Sequence, residues 1–209
     1  MSRADSNRRS QYNGQGVEPR LWRRLLALWS IATLGFHFFA VTALLAQQPK
    51  PNEYQVKATY LYNFGRFIKW PETALAGKGD SFSVCVLGQD PFGPVLDSTL
   101  AGEALDGKPV VLRRLSKPQD AGDCRILFIS TTEEKHLKEI LAALDEGGVL
   151  TVSDMPSFTR RGGMIQFVLE GDRVRFEINL SSAESARLVL SSELLKVATN
   201  VKRNGRSGD

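Results

Sequence analysis

The chain has 209 residues, of which 42% are hydrophobic, 24% charged and 9% aromatic. That balance excludes wholesale disorder, collagen and a polytopic membrane protein, and the length suits one domain with appendages. The formal charge of +4 is unevenly spread: residues 1–46 hold six Arg and two acids, whereas residues 47–209 hold 21 basic and 21 acidic residues. A neutral body has no net field to draw in nucleic acid or an anionic membrane surface, so nucleic-acid binding is not expected.

Residues 1–24 form a polar and basic segment ending in Arg20, Arg23 and Arg24, and the apolar run Leu25–Ala46 follows. A positive flank, an apolar stretch and small residues at its end make the pattern of a secretory signal. The run exceeds the roughly 7–15 residues of a usual signal core and approaches the roughly 20 needed to span a bilayer. Residues 25–46 are therefore read as a signal core, cleaved after Ala43 or Ala46, or as an uncleaved membrane anchor. Either way the body crosses the membrane. Its two cysteines, Cys85 and Cys124, admit one pairing, and an oxidising compartment favours a disulfide; the alternative is two buried thiols.

The body reads as one α/β domain over 53–200. Tyr54, Ala58, Leu61, Phe64, Gly65 and Ile68 recur at helical spacing, and Pro71 after Trp70 closes that helix. Phe82–Leu87 is a first strand. Asp90 caps a helix from Pro91 to Leu100. Pro109–Leu115 and Arg125–Ser130 are further strands, although residues 116–123 are short for a parallel crossover. Thr131 and Glu134 pair as a capping box ahead of a helix with a Leu137, Ile140, Leu141, Leu144 stripe, stopped by Gly147. Val149–Val152 is a fourth strand. Met164–Leu169 and Arg173–Ile178 flank Glu170-Gly171-Asp172 as a hairpin. Ser181 and Glu184 open a last helix carrying Ala183, Ala186, Leu190, Leu194 and Val197 on one face, and 201–209 is a flexible tail. The expected fold is a mainly parallel sheet with helices on both faces, a C-terminal antiparallel hairpin and a final helix.

Catalytic signals are sparse. Gly88–Gly93 lacks the spacing and the Lys-Ser/Thr of a phosphate loop. His136 is the one histidine of the body, with no nucleophile elbow to serve, and neither cysteine has a metal-ligand cluster around it. The acid pairs Glu133-Glu134 and Asp145-Glu146 fall at helix ends, where dipole and solvation explain them. No enzyme, metal or cofactor is therefore expected. The loop 153–163 follows the fourth strand and carries Phe158, Arg160 and Arg161, residue types enriched at interfaces, before Gly162-Gly163. It reads either as a contact loop or as a plain connection whose phenylalanine packs on the core.

Several segments together resemble the YfiR-like family of exported bacterial proteins: Tyr54–Pro71 (YQVKATYLYNFGRFIKWP), Val84–Gly88 (VCVLG), Cys124–Ser130 (CRILFIS), Gly162–Phe167 (GGMIQF), Val174–Asn179 (VRFEIN) and Leu190–Ala198 (LSSELLKVA). The resemblance covers about residues 53–200; the departures are the polar residues 1–19 and the long leader. It implies a periplasmic, homodimeric α/β protein, with Cys85 and Cys124 matching the family's cysteines in a disulfide between the first and third strands. It also implies a partner, because the family's namesake restrains an inner-membrane diguanylate cyclase by holding its periplasmic sensing domain. No catalytic residue carries over. Two functional readings follow. One is a non-catalytic regulator of a membrane signalling protein, with Phe158, Arg160, Arg161 and Trp70 as contacts and the disulfide as a structural or redox element. The other is a sensor or carrier of a small ligand, with Tyr62, Trp70 and Phe158 lining a pocket.

Overall fold

The computed structural model describes residues 52–71, 80–144 and 148–203. The basic segment, the 25–46 run and the stop at Gly147 lie outside the described residues. Helix α1 (Glu53–Phe67) starts at Asn52, whose side chain accepts from the Tyr54 amide at 3.2 Å. It ends earlier than Pro71 alone would require. Ile68–Lys69 instead form a short strand, β1, because Ile68 pairs with Leu190 far along the chain.

Strand β2 (Phe82–Leu87) is followed by α2 (Pro94–Leu100), the two-residue β3 (Ala104–Leu105), and β4 (Lys108–Leu115). Helix α2 begins three residues later than Asp90 and Pro91 predict. The Asp90 carboxylate accepts from the Phe92 amide at 2.7 Å and so shapes a turn, and Gly93 then precedes Pro94 at the first helical position. A 3-10 turn (Pro118–Asp123) leads to β5 (Ile126–Ile129). A second 3-10 turn (Thr131–His136) leads to α3 (Leu137–Leu144) and β6 (Leu150–Ser153). Ser130, not Thr131, caps that second turn, its hydroxyl accepting from the Thr132 amide. After a third turn (Thr159–Arg161) come β7 (Ile165–Glu170), β8 (Arg173–Asn179), α4 (Leu180–Ser185), β9 (Val189–Leu190), α5 (Ser192–Val197) and β10 (Asn200–Lys202).

The predicted last helix is thus two short ones. Arg187 takes φ 59°, the Arg187 amide bonds to Glu184 O and the Leu188 amide to Ala183 O, which is a Schellman closure without glycine. Ser191 then caps α5 through the Leu194 amide, and Asn179, rather than a Ser181–Glu184 box, caps α4 through Ser182. The residues between pair as β9 with β1. Val201 and Lys202, assigned from sequence to the tail, extend the sheet, because Asn200–Lys202 pair in parallel with Glu177–Asn179.

Eight strands run in the order β10-β8-β7-β6-β5-β2-β4-β3. The run from β7 through β4 is parallel throughout; β8 is antiparallel to β7, and β3 to β4. The hairpin and the mainly parallel α/β architecture are as the patterning predicts. Apolar residues fill both faces. Val84, Val86, Ile126, Phe128, Val152, Ile165, Phe167 and Phe176 meet Ala58, Leu61 and Phe64 of α1 on one face. Cys85, Leu87, Leu127 and Ile129 meet Leu137, Ile140, Leu144, Met155 and Phe158 on the other. Continuous apolar strands are what burial on two faces demands.

Because β4 lies beyond β2, the chain from β4 to β5 must cross β2, and the Cys85–Cys124 disulfide fastens that crossing. The Ser83 hydroxyl donates to Asp123 O at 2.7 Å and the Arg125 amide to Ser83 O at 2.9 Å beside it. Replacing both cysteines with Ala is expected to lower the unfolding free energy by about 3–4 kcal/mol. A parallel shift of the urea midpoint of the oxidised wild type under reductant would identify the bond, rather than side-chain size, as the cause.

Candidate functional site

Open parallel sheets usually bind ligands beyond the carboxyl ends of their strands, where neighbouring connections diverge. Here β2 leads toward β4 and β5 toward β6, so the divergence lies between β2 and β5. That crevice is filled by the chain itself. Gly88 (φ +86°) lies so close to the 131–136 turn that a Cβ would stand 2.6 Å from Thr132 Oγ1 and 2.8 Å from Glu133 Oε1. The Gln89 amide donates to Thr132 Oγ1 at 3.2 Å. Alongside, Arg114 donates to Asp90 at 2.7 Å and grips both oxygens of Asp97 at 3.0 and 2.5 Å, holding the Asp97 carboxyl below its ordinary pKa. His136 sits largely exposed, 3.6 Å from Glu133.

Lys57 is the one charged group of α1 that the fold buries. Its ammonium lies 2.7 Å from Asp154 at the end of β6 and 2.5 Å from Glu53, and 4.6 Å from the Tyr54 ring centre. Burial pulls its pKa down, but the bonds to Asp154 and Glu53 and their charges outweigh that, and Lys57 titrates above the usual 10.5. The raised native value means that its contribution to stability is complete below about pH 10.5 and is lost as pH climbs through the native pKa. Lys57→Met is expected to cost about 1–3 kcal/mol at neutral pH, by leaving Asp154 without its main partner. The gap between the variant and wild type in urea unfolding should close as the pH is raised past that point.

In the loop 153–163 the phenylalanine packs on the core, while Arg160 and Arg161 stay exposed. Ser153 Oγ donates to Ile129 O at 2.7 Å and accepts from the Met155 amide. Phe158 is 0% exposed, so it offers nothing to a partner. Its ring lies where a side chain on Gly163 would go, 2.1 Å from a Cβ built there. Arg161 donates to the Glu134 carboxylate at 2.9 Å and to Glu134 O at 3.0 Å, tying the loop to the 131–136 turn. Arg160 is exposed and bonds to the Ser157 hydroxyl. Asn179 Nδ2 donates to Thr159 O at 2.8 Å from the other side. Gly163→Ala is expected to cost about 1–3 kcal/mol by overpacking against Phe158, seen as a lowered urea midpoint.

Tyr62, Trp70 and Phe158 do not share a pocket, because the sheet separates the first two from the third. Trp70 is half-buried, edge-on to Phe82 with ring centres 5.2 Å apart, and its buried Nε1 has no hydrogen-bond partner among the described residues. It borders a cavity of about 420 Å³ at the amino end of the sheet, shared with Arg125 and Lys108. A second concavity, of about 190 Å³, is an apolar groove between α1 and α5, floored by Phe64, Phe176 and Leu194. Its rim includes Phe67, 40% exposed, and Val197, 54% exposed. Neither concavity was legible in sequence. Val197 looks like an ordinary member of an apolar stripe, and Phe67 falls outside the first helix's stripe, until the break at Arg187 turns α5 against α1. Among the described residues no set of three or more His, Cys, Asp or Glu side chains could hold a metal, and no helix is long and apolar enough to cross a membrane.

Among solved structures, a conserved domain protein from Vibrio cholerae O1 biovar El Tor aligns with a TM-score of 0.52 at 12% identity. The alignment covers 72% of this chain and 60% of that one, and at such identity it speaks for the fold alone. An ABC domain in complex with L-Trp from Streptococcus pneumoniae aligns with a TM-score of 0.43 at 9% identity, covering 58% of this chain and 55% of that one. The family model described as YfiR/HmsC-like matches residues 54–199, from the second residue of α1 to the residue before β10, and so takes in the rest of the sheet, the disulfide and both concavities. The chain belongs to the YfiR/HmsC-like family.

Proposed function

We propose that this protein is a non-catalytic periplasmic regulator that binds and restrains the periplasmic domain of an inner-membrane signalling protein, a diguanylate cyclase. Family membership supports that reading, and the apolar groove between α1 and α5 supports it as the surface proposed for the partner. Phe67 and Val197 leave large apolar side chains in water beside a concave apolar floor, an arrangement that suits an inserted aromatic or aliphatic anchor. The export segment 25–46 delivers the body to the periplasm, as a cleaved leader or as a tether to the membrane that holds the partner. A homodimer would present two such grooves to its target.

In this reading the disulfide serves as structure. Both cysteines are 0% exposed, so a reductant meets the bond only after the crossover opens, and redox state would act through stability.

The test is affinity capture of the tagged full-length chain from detergent-solubilised inner membranes, with co-purifying chains identified by mass spectrometry. The expected result is a membrane enzyme with a periplasmic domain. Phe67→Asp and Val197→Asp should each weaken its capture by about thirtyfold, the effect of losing an interface hot spot, with the melting temperature unchanged. Undiminished capture by both folded variants would move the interface elsewhere.

A further inference from the structure

Of the large apolar side chains exposed among the described residues, Phe67, Val189 and Val197 gather at one place. Ile68 and Leu190 pair between β1 and β9 and point inward, so their neighbours Phe67 and Val189 point out. Val197 stands across the α1–α5 groove from Phe67. Groove and side chains make one apolar strip that runs from Tyr60 along α1 to Val189. Tyr60 and Phe67 are two turns apart on α1, about 10 Å along its axis.

The form of the strip decides what fits it. Its concavity, about 190 Å³, falls below the roughly 300–1,000 Å³ of small-molecule sites but admits a large side chain. Its walls are helices, whose N–H and C=O groups bond along their own axes, so an extended segment would find no row of backbone groups to pair with. A helix arrives with its own backbone bonded and needs only side-chain contact, which it offers from residues three or four apart on one face. Among the described residues Glu193 is the one charged group lining the concavity, and no cation pairs with it. Hydrogen bonds from its own backbone N–H and from the Ser191 and Ser192 hydroxyls hold its carboxyl below the ordinary range, so it is ionised at neutral pH. An apolar strip with one unanswered acid at its rim is the complement of an apolar helix face flanked by a cation.

We propose that this strip receives an amphipathic helix of the membrane partner. One large apolar side chain of that helix seats between α1 and α5. A second, one or two turns away, packs on Phe67 and Val189, and a Lys or Arg beside the first faces Glu193. The assignment rests on the regulator reading and deepens it, because it fixes the kind of element by which the partner is held. The two apolar anchors carry most of the affinity, while the exposed ion pair sets direction and partner choice at small cost.

The experiment is photo-cross-linking in inner membranes, with p-benzoylphenylalanine replacing Phe67, Val189 or Val197 in the tagged full-length chain, and replacing the exposed Val111 of β4 as a remote control. The cross-linked peptides are sequenced by mass spectrometry. The three groove positions are expected to mark one segment of one membrane chain, at residues three, four or seven apart, with a Lys or Arg within a turn of them; the control should not mark it. Glu193→Lys should weaken capture of that chain about fivefold, and reversing the sign of the marked cation should restore it. Marks at every second residue, which is a strand, marks on a second copy of this chain, no mark from any of the three positions, or a charge exchange that restores nothing would each overturn the helix. In those cases capture of a membrane enzyme by the wild type keeps the regulator reading. Capture of no membrane chain by the wild type overturns both.

Discussion

Strand β2 is bonded on both sides to parallel partners, so the chain that leaves β4 must pass over its face to reach β5. Ten residues, 116–125, make that passage, six of them wound into a 3-10 turn. Six residues at about 2 Å and four at about 3.4 Å reach roughly 26 Å. Leu115 lies opposite Leu87 and Ile126 opposite Val84, so the crossing needs about 10 Å sideways and about 10 Å back along the strands, well within that reach. A connection with length to spare is held to one path over β2 by being fastened. The Cys85–Cys124 bond does so at its end, helped by the Ser83 hydroxyl and by Ala121, which is fully buried in the same core. The bond joins the middle of β2 to the entry of β5 inside the core of the second face.

Fastening has consequences for where the molecule can act. The carboxyl end of the sheet, the usual seat of ligands in such folds, is closed by the Gly88–Thr132 contact, by the Arg114 pairs with Asp90 and Asp97, and by Lys57 bound to Asp154. The 153–163 loop is tied down along its length, through Ser153, Phe158, Thr159 and Arg161. Unfilled concave surface lies instead between α1 and α5 and at the amino end of the sheet. The first is apolar and open to a macromolecule, the second cationic and sized for a small one.

Much of the fold was legible in sequence. Phe82–Leu87, Met164–Leu169 and Arg173–Ile178 announce strands by β-branched and aromatic residues, and Glu170-Gly171-Asp172 announces the hairpin between the last two. The site was far less legible. Phe158, aromatic and set in a polar loop, looks like an interface residue, yet the glycine at 163 exists to admit its ring into the core. Arg125 looks like a strand-end charge in water, yet it is almost wholly buried. In both cases the local pattern is ambiguous because burial is settled by elements distant in sequence.

The sequence by itself determined the α/β class, the parallel core, the hairpin and the single pairing open to two cysteines. Those follow from periodicity, turn chemistry and count, which are local properties of the chain. Tertiary structure alone decided three things: that β4 lies beyond β2, that the last helix breaks at Arg187, and that β10 joins the sheet. Each is a choice between local conformations of similar energy, resolved by what the neighbours bury. Residues 183–197 carry a continuous helical stripe, and the break is held by the closure at Arg187, the Ser191 cap and the pairing of Val189 and Leu190 with β1.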